Sequence, residues 1–321
     1  MTGNHHVEVR NRDAVFKFDL IRNITIVRGD SGTGKTTLYE MISDHTRLKD
    51  QSGVNIRCDK QCVALTDTDW RNQLGNTSDS IVFIDEGAAF LKTKDLASSI
   101  EGTDNYYVIF CRDSLHELPY SVEEIYEIKT SGKNHSFKKM YGHDTSFVYG
   151  KGRSSARPKP DAVLTEDSGS GYQFYKHYFE SRDIECFTSG GNSGVFRWVM
   201  ENKGRRVFII ADGAAFGSEI DRVLKIASSS DMTLCLPESF EWLILRSGLI
   251  KGASEKILDD PSSYIDSKDH FSWERYFTQY LVELTDRPEN APFKYYSDKG
   301  RIAEAYLIDI NAGKIISIII D

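Results

Sequence analysis

The chain has 321 residues, 40% hydrophobic and 12% aromatic, enough for two ordinary cores or one large one. Forty Lys plus Arg against 48 Asp plus Glu give a formal charge of −8, which excludes coating of nucleic acid by bulk charge but allows a local basic groove. No apolar run approaches the ~20 residues of a membrane span, and the first residues lack the apolar core of a secretion signal, so a cytoplasmic protein without a membrane partner is expected.

In chain order, short apolar runs alternate with amphipathic segments. That pattern predicts an α/β protein of mostly parallel sheets with flanking helices. Strands are expected over 7–10, 15–20, 24–28, 62–65, 80–84, 106–111 and 124–129, with another near 136–141. A helix should begin at Lys35, and others should cover 70–74 and 87–91. Five cysteines (Cys58, Cys62, Cys111, Cys186, Cys235) are too scattered for a disulfide framework or a zinc site, and Cys111 and Cys235 read as core residues.

The segment around Lys35 carries the clearest chemistry. Gly29-Asp30-Ser31-Gly32-Thr33-Gly34-Lys35-Thr36 satisfies G-x-x-x-x-G-K-[ST] between an apolar strand and a helix-forming stretch. Its glycines let backbone N–H groups turn inward on phosphates, at a helix N-terminus whose dipole favours anions. Lys35 would bring a cation to the β- and γ-phosphates and the Thr36 hydroxyl would ligate Mg²⁺, with Thr37 completing the nucleotide-binding set. The run 80–84 then delivers Asp85 and Glu86. Asp85 is expected to hold Mg²⁺ and Glu86 to polarise the attacking water. Arg112, just past the strand 106–111, would sense the γ-phosphate or simply pair with Asp113.

On residues 29–37 and 80–86, the first half (roughly 1–145) resembles the P-loop ATPases of the broad AAA/ABC-like group. The strands 7–10 and 15–20 look like the antiparallel layer of ABC-type ATPases. The L-S-G-G-Q signature of that type does not occur before Asp85-Glu86. Thr188-Ser189-Gly190-Gly191-Asn192 looks similar but lies far downstream. The resemblance implies ATP and Mg²⁺ as ligands and ATP hydrolysis as the activity, while head-to-head dimerisation of the ABC kind loses its support. Oligomerisation stays open.

The stretch 151–160, rich in Gly, Ser and Pro, reads as a linker between a first domain (1–150) and a second (161–250). Its r.m.s. reach is only about 17 Å, so coupling between the halves is expected. From 129 to 159 the chain carries Lys129, Lys133, Lys138, Lys139, Lys151, Arg153, Arg157 and Lys159 against Asp144 alone. With Phe137 and Tyr141 this segment could touch a nucleic-acid backbone, or be a solvated basic linker.

In the second half, strands are expected over 162–165, 184–187, 206–211 and 232–236, with helices over 172–181, 195–202, 218–227 and 240–246. Two of these strands end in acids, Glu166 and Asp212, each before a Gly-rich turn. Adjacent parallel strands would aim both carboxylates into one crevice as a Mg²⁺ site, or each would cap the helix that follows. This order of elements, over about 161–247, resembles a Toprim domain, as found in topoisomerases, DnaG-type primases and OLD-family nucleases. By that resemblance Glu166 is the family's Glu, Asp212 the first acid of its Asp-x-Asp and Gly217 the closing glycine. The second acid is Ala214, and the Asp usually four residues past the Glu is Ser170 or Gly171. Glu219, Asp221 and Glu238 are the candidates to replace the missing carboxylate. A C-terminal extension, 251–321, should hold a helix over 271–284 and a hairpin of 305–310 with 314–320.

A P-loop ATPase followed by a Toprim-like domain is the order of OLD-family (overcoming lysogenization defect) proteins, which the resemblance associates with phage defence. The leading expectation is therefore a Mg²⁺-dependent ATPase whose P-loop domain controls a Toprim-like domain acting on or binding nucleic acid. The alternative is a signalling protein whose acid-poor Toprim-like domain only docks a protein partner. A small-molecule kinase would need a lid of arginines, and only Arg112 is suitably placed.

Overall fold

The computed structural model describes residues 1–30, 32–141, 148–150 and 159–320. The chain is an α/β protein of two units, Met1–Gly142 with Asp260–Ser272, and His143–Asp259 with Trp273–Asp321. The stretch 260–272 thus belongs with the first unit instead of with the C-terminal extension.

The first unit contains β1 (His5–Arg10), β2 (Val15–Leu20), β3 (Ile24–Arg28), α1 (Lys35–Leu48), β4 (Asn55–Arg57), β5 (Gln61–Leu65), α2 (Trp70–Gly75), β6 (Ser80–Ile84), α3 (Lys94–Ile100), β7 (Tyr106–Phe110), β8 (Ile125–Ser131) and β9 (Asn134–Lys139). One mixed nine-stranded sheet runs β4-β1-β2-β9-β8-β3-β7-β6-β5. Its β8-β3-β7-β6-β5 part is parallel throughout, whereas β4, β1 and β2 pair antiparallel. The sequence dictates this division. Strands β3, β6 and β7 are largely apolar and buried at every position, as strands covered on both faces must be. Strands β1 and β2 alternate buried and exposed residues, so one face remains solvated.

The helix expected over 87–91 is a set of turns. The Asp85 carboxylate takes the Gly87 N–H (3.1 Å) and the Asp85 carbonyl takes that of Ala88 (3.2 Å), which closes local turns in place of a helical ladder. The helix starts at Lys94, where Thr93 can cap it by accepting the Leu96 N–H.

The second unit contains β10 (Val148–Gly150), β11 (Ala162–Thr165), α4 (Ser170–Glu180), β12 (Glu185–Thr188), α5 (Asn192–Glu201), β13 (Val207–Ile210), α6 (Ile220–Ser229), β14 (Met232–Cys235), α7 (Phe240–Arg246), α8 (Glu255–Asp259), α9 (Trp273–Thr285), α10 (Glu304–Leu307) and α11 (Asp309–Ile320). Its sheet runs β10-β14-β13-β11-β12, four parallel strands with β10 antiparallel at one edge. Residues 148–150 therefore pair with the second sheet, although the boundary was expected after them.

The expected C-terminal hairpin is instead two helices. Ala312, Ile315, Ile316 and Ile319 are buried at i, i+3, i+4 and i+7, a helical stripe. Burial of that stripe outweighs the β-propensity of the isoleucines and the turn signal of Gly313. In α9, of the apolar stripe Trp273, Phe277, Tyr280, Leu281 and Leu284, all are buried but Tyr280, which is half-buried. No helix among the described residues is long and apolar enough to cross a membrane.

Candidate functional site

The C-terminal ends of β3, β7 and β6 lie side by side, since Val27 is level with Phe110 and Ile109 with Ile84. Residues just beyond these ends open into one crevice. From β3 comes the glycine loop, from β6 Asp85 and Glu86, and from β7 Arg112.

Gly29, Gly32 and Gly34 all have φ in the left-handed region, at 142°, 84° and 101°. At Gly34 the backbone conformation alone sets the requirement, since a Cβ there would meet the Phe16 ring (3.4 Å) and His135 Nδ1 (3.5 Å) at ordinary contact distance. Gly34 precedes α1 with no side-chain cap and no acid in the first turn, so backbone amides alone face the crevice at that helix N-terminus. Ser31 lies outside the described residues. The Thr33 hydroxyl donates to the Asp30 carbonyl at 3.0 Å and closes the loop. Thr36 and Thr37 are exposed.

Lys35 is 5% exposed. Its ammonium donates to the carbonyls of Gly29 and Asp30 (the latter at 3.2 Å) and stands 3.9 Å from Glu86 Oε2. Arg112 grips the same carboxylate with Nη2 at 2.9 Å from Oε1 and Nε at 3.3 Å from Oε2. Asp113 instead takes Lys92 at 2.6 Å. The structure thus joins Lys35, Glu86 and Arg112 into one charged constellation, with Arg112 bonded to Glu86 and Asp113 to Lys92.

Sequence reasoning missed Asp67, beyond the end of β5. The Asp67 carboxylate accepts the Ala89 N–H at 2.9 Å, in the turns that follow Asp85, and burial and then the charges of Asp85 and Asp67 raise the pKa of Tyr39, whose hydroxyl donates to the Leu65 carbonyl at 2.8 Å. The signal was available, for 62–65 is an apolar strand leading into Thr66-Asp67, as 80–84 leads into Asp85.

The described part of the basic stretch is largely paired. Lys129 and Lys138 both reach Glu127 (3.1 and 3.7 Å), Lys139 reaches Glu123 (3.4 Å), Lys133 donates to the Arg12 carbonyl (3.1 Å) and Lys159 to the Arg182 carbonyl (2.6 Å). Phe137 stacks on Phe18 at 4.0 Å, which spends its ring on the core. Lys151, Arg153, Arg157 and Asp144 lie outside the described residues.

In the second unit, β11 and β13 are parallel neighbours with Thr165 level with Ile210, so Glu166 and Asp212 do meet at one sheet edge. The Asp212 N–H donates to Glu166 Oε2 at 3.1 Å. The Asn192 amide nitrogen points at Glu166 (3.1 and 3.3 Å), since the opposite orientation would set its oxygen against the carboxylate. Neither acid is the helix cap of the alternative reading. Asp167, two residues before the N-cap Gly169, accepts the N–H groups of Gly169 (2.7 Å) and Gly171 (2.8 Å) at the start of α4, and α6 has no side-chain cap.

Ala214 is buried, and Glu219 is spent on Arg222. Two further acids act on this pair through their charge, Glu274 of α9 on both Glu166 and Asp212 and Glu241 of α7 on Asp212. Burial, and then the charges of Glu274 and Glu166, hold Asp212 well above the usual carboxylate range. Burial, opposed by the Asp212 N–H and aided by Glu274, pushes Glu166 up to about 7. Lys299 reaches into this group at 2.7 Å from Glu274 Oε1 and 3.0 Å from Glu241 Oε1. No signal in the sequence pointed to Glu274 or Lys299, which lie outside the resembling segment. Cys62, Cys111, Cys186 and Cys235 are buried and Cys58 is half-buried. The sequence matches no family model, and no curated protein matches it.

Proposed function

We propose that the first unit binds and hydrolyses a nucleoside triphosphate, ATP on the resemblance, and that its nucleotide state controls the second unit. The carrying observation is the convergence of Lys35, Glu86 and Arg112 beside a loop of left-handed glycines, at the C-terminal ends of three parallel strands. Backbone amides at the α1 N-terminus and the Lys35 ammonium would take the phosphates. The Thr36 hydroxyl and the Asp85 carboxylate are hard oxygen donors, a set that fits Mg²⁺, which takes one or two carboxylates and fills its shell with phosphate and water. Bound there, Mg²⁺ would neutralise charge on the phosphates. Glu86 would accept a proton from the attacking water, held in place by the two-point grip of Arg112. Nucleotide arriving at Lys35 would compete for the ammonium that now faces Glu86, and so free that carboxylate for water.

The second unit is read as Toprim-like, on its parallel sheet and on the meeting of Glu166 and Asp212. Its partner would be nucleic acid, in a phage-defence or mobile-element setting if the OLD-family resemblance holds. A protein-docking role is the second reading, and the cation already present among the carboxylates favours it. The test is phosphate release from ATP and GTP by the full chain with Mg²⁺, alongside calorimetric binding of a non-hydrolysable analogue. Release of phosphate supports the proposal, binding without release reduces the first unit to a sensor, and absence of binding overturns it.

A further inference from the structure

The carboxylates of the second unit leave a cation to be supplied. Glu166 and Asp212 come from the sheet, Glu241 from α7 and Glu274 from α9, and the Glu241 side chain is buried with Oε2 lacking a hydrogen-bond partner. Among the described residues no three His, Cys, Asp or Glu side chains stand in a group that could hold a metal ion. The position is taken by the chain itself. Lys299 puts its ammonium between Glu241 and Glu274, and the charge of Asp212 acts on it as well. Burial alone would lower the pKa of this lysine. The ion pairs with Glu241 and Glu274 outweigh that and hold it above its ordinary value.

The placement is built, not incidental. Lys299 adopts a left-handed backbone, φ 53°. Its carbonyl accepts the Ser170 N–H at 2.7 Å and its N–H donates to the Tyr296 carbonyl at 3.0 Å, which pins the turn on the α4 N-terminus. Gly169 is needed there, since a Cβ would lie 2.3 Å from the Lys299 carbonyl oxygen. Tyr295, four residues before Lys299, donates its buried hydroxyl to Glu241 Oε1 (2.8 Å) and contacts Ser170 Oγ at 2.6 Å. Both oxygen partners of the lysine are thereby held, Glu241 by Tyr295 and Glu274 on α9.

We propose that Lys299, bonded to Glu241 and Glu274 beside the Glu166/Asp212 pair, is the resident cation of the second unit's carboxylates, so that Glu166 and Asp212 bind no Mg²⁺. A single fixed charge satisfies part of the carboxylate field and repels a second cation from it. This inference does not depend on the nucleotide reading of the first unit. It removes Mg²⁺-dependent cleavage at Glu166 and Asp212 from the readings of the second unit.

The test is a titration of the nucleotide-free full chain with Mn²⁺, followed by the electron paramagnetic resonance of the free ion. Any site in the wild-type chain is assigned with Asp212→Asn and Glu166→Gln. The expected result is that neither substitution removes bound Mn²⁺ from the wild-type chain, and that Lys299→Met gains a Mn²⁺ site that adding Asp212→Asn abolishes. A wild-type Mn²⁺ site that disappears in Asp212→Asn and in Glu166→Gln overturns the proposal. Should Lys299→Met fail to fold, the wild-type comparison still decides the matter, and Lys299→Met with Glu241→Gln, which removes both charges of the pair, is used for the gain of the site.

Discussion

Removing the charge of Lys35 tests the phosphate site most directly. Lys35→Met is preferred to Lys35→Ala because the stem is buried, and methionine fills nearly the same volume without an ammonium. The magnitude follows from the pair already present. At 3.9 Å from Glu86 Oε2, two unit charges in an effective dielectric of ~20 attract by about 4 kcal/mol, and a phosphate oxygen at similar range would gain as much. Against this, the ammonium gives up its bonds to the Gly29 and Asp30 carbonyls and shares its charge with Glu86. A net loss of about 2–4 kcal/mol then corresponds to between thirtyfold and a thousandfold in affinity. The assay is isothermal calorimetry with a non-hydrolysable nucleotide at fixed Mg²⁺, with thermal unfolding of the same sample to establish that the variant is folded. A folded Lys35→Met chain that binds nucleotide as tightly as wild type would refute the assignment of Lys35, and with it the phosphate site.

Glu86→Gln should keep nucleotide affinity and slow phosphate release by on the order of 10²–10⁴-fold, the worth of one positioned general base; a wild-type turnover rate would show that Glu86 does not act on water. Buried Glu124 supplies a pH signature of the fold. Burial, against the attraction of Arg22 and Lys139, raises its pKa from 4.5 to about 7. The folded chain therefore holds a proton that the unfolded chain has released between pH 4.5 and 7, and stability falls as pH rises through that window. The full shift is worth up to about 3 kcal/mol. Glu124→Gln should reduce the loss of urea midpoint between pH 5 and 7.5, and an unchanged pH slope would remove Glu124 from this account.

Sequence and tertiary structure divided the work along a physical line. What local chemistry controls was legible: the loop 29–37, because a strand, left-handed glycines and a helix start are all specified within a few residues, and the strands β3, β6 and β7, because full burial favours largely apolar runs. Glu166 and Asp212 could be brought together from sequence alone, since neighbouring parallel strands deliver their next residues to one edge. The misread segments were those where two local signals compete and packing decides, such as 309–320, whose isoleucines and Asn-Ala-Gly suggest a hairpin while the buried stripe requires a helix. Partnerships across long stretches of chain were beyond sequence altogether. Arg112 has Asp113 beside it and yet binds Glu86, 26 residues away, because the parallel pairing of β6 with β7 sets those two strand ends side by side. Lys299 reaches Glu274 and Glu241 only once α7, α9 and the turn after Tyr295 have packed. Charge is carried by single side-chain atoms, and which of them meet is fixed only when the helices settle on the sheet.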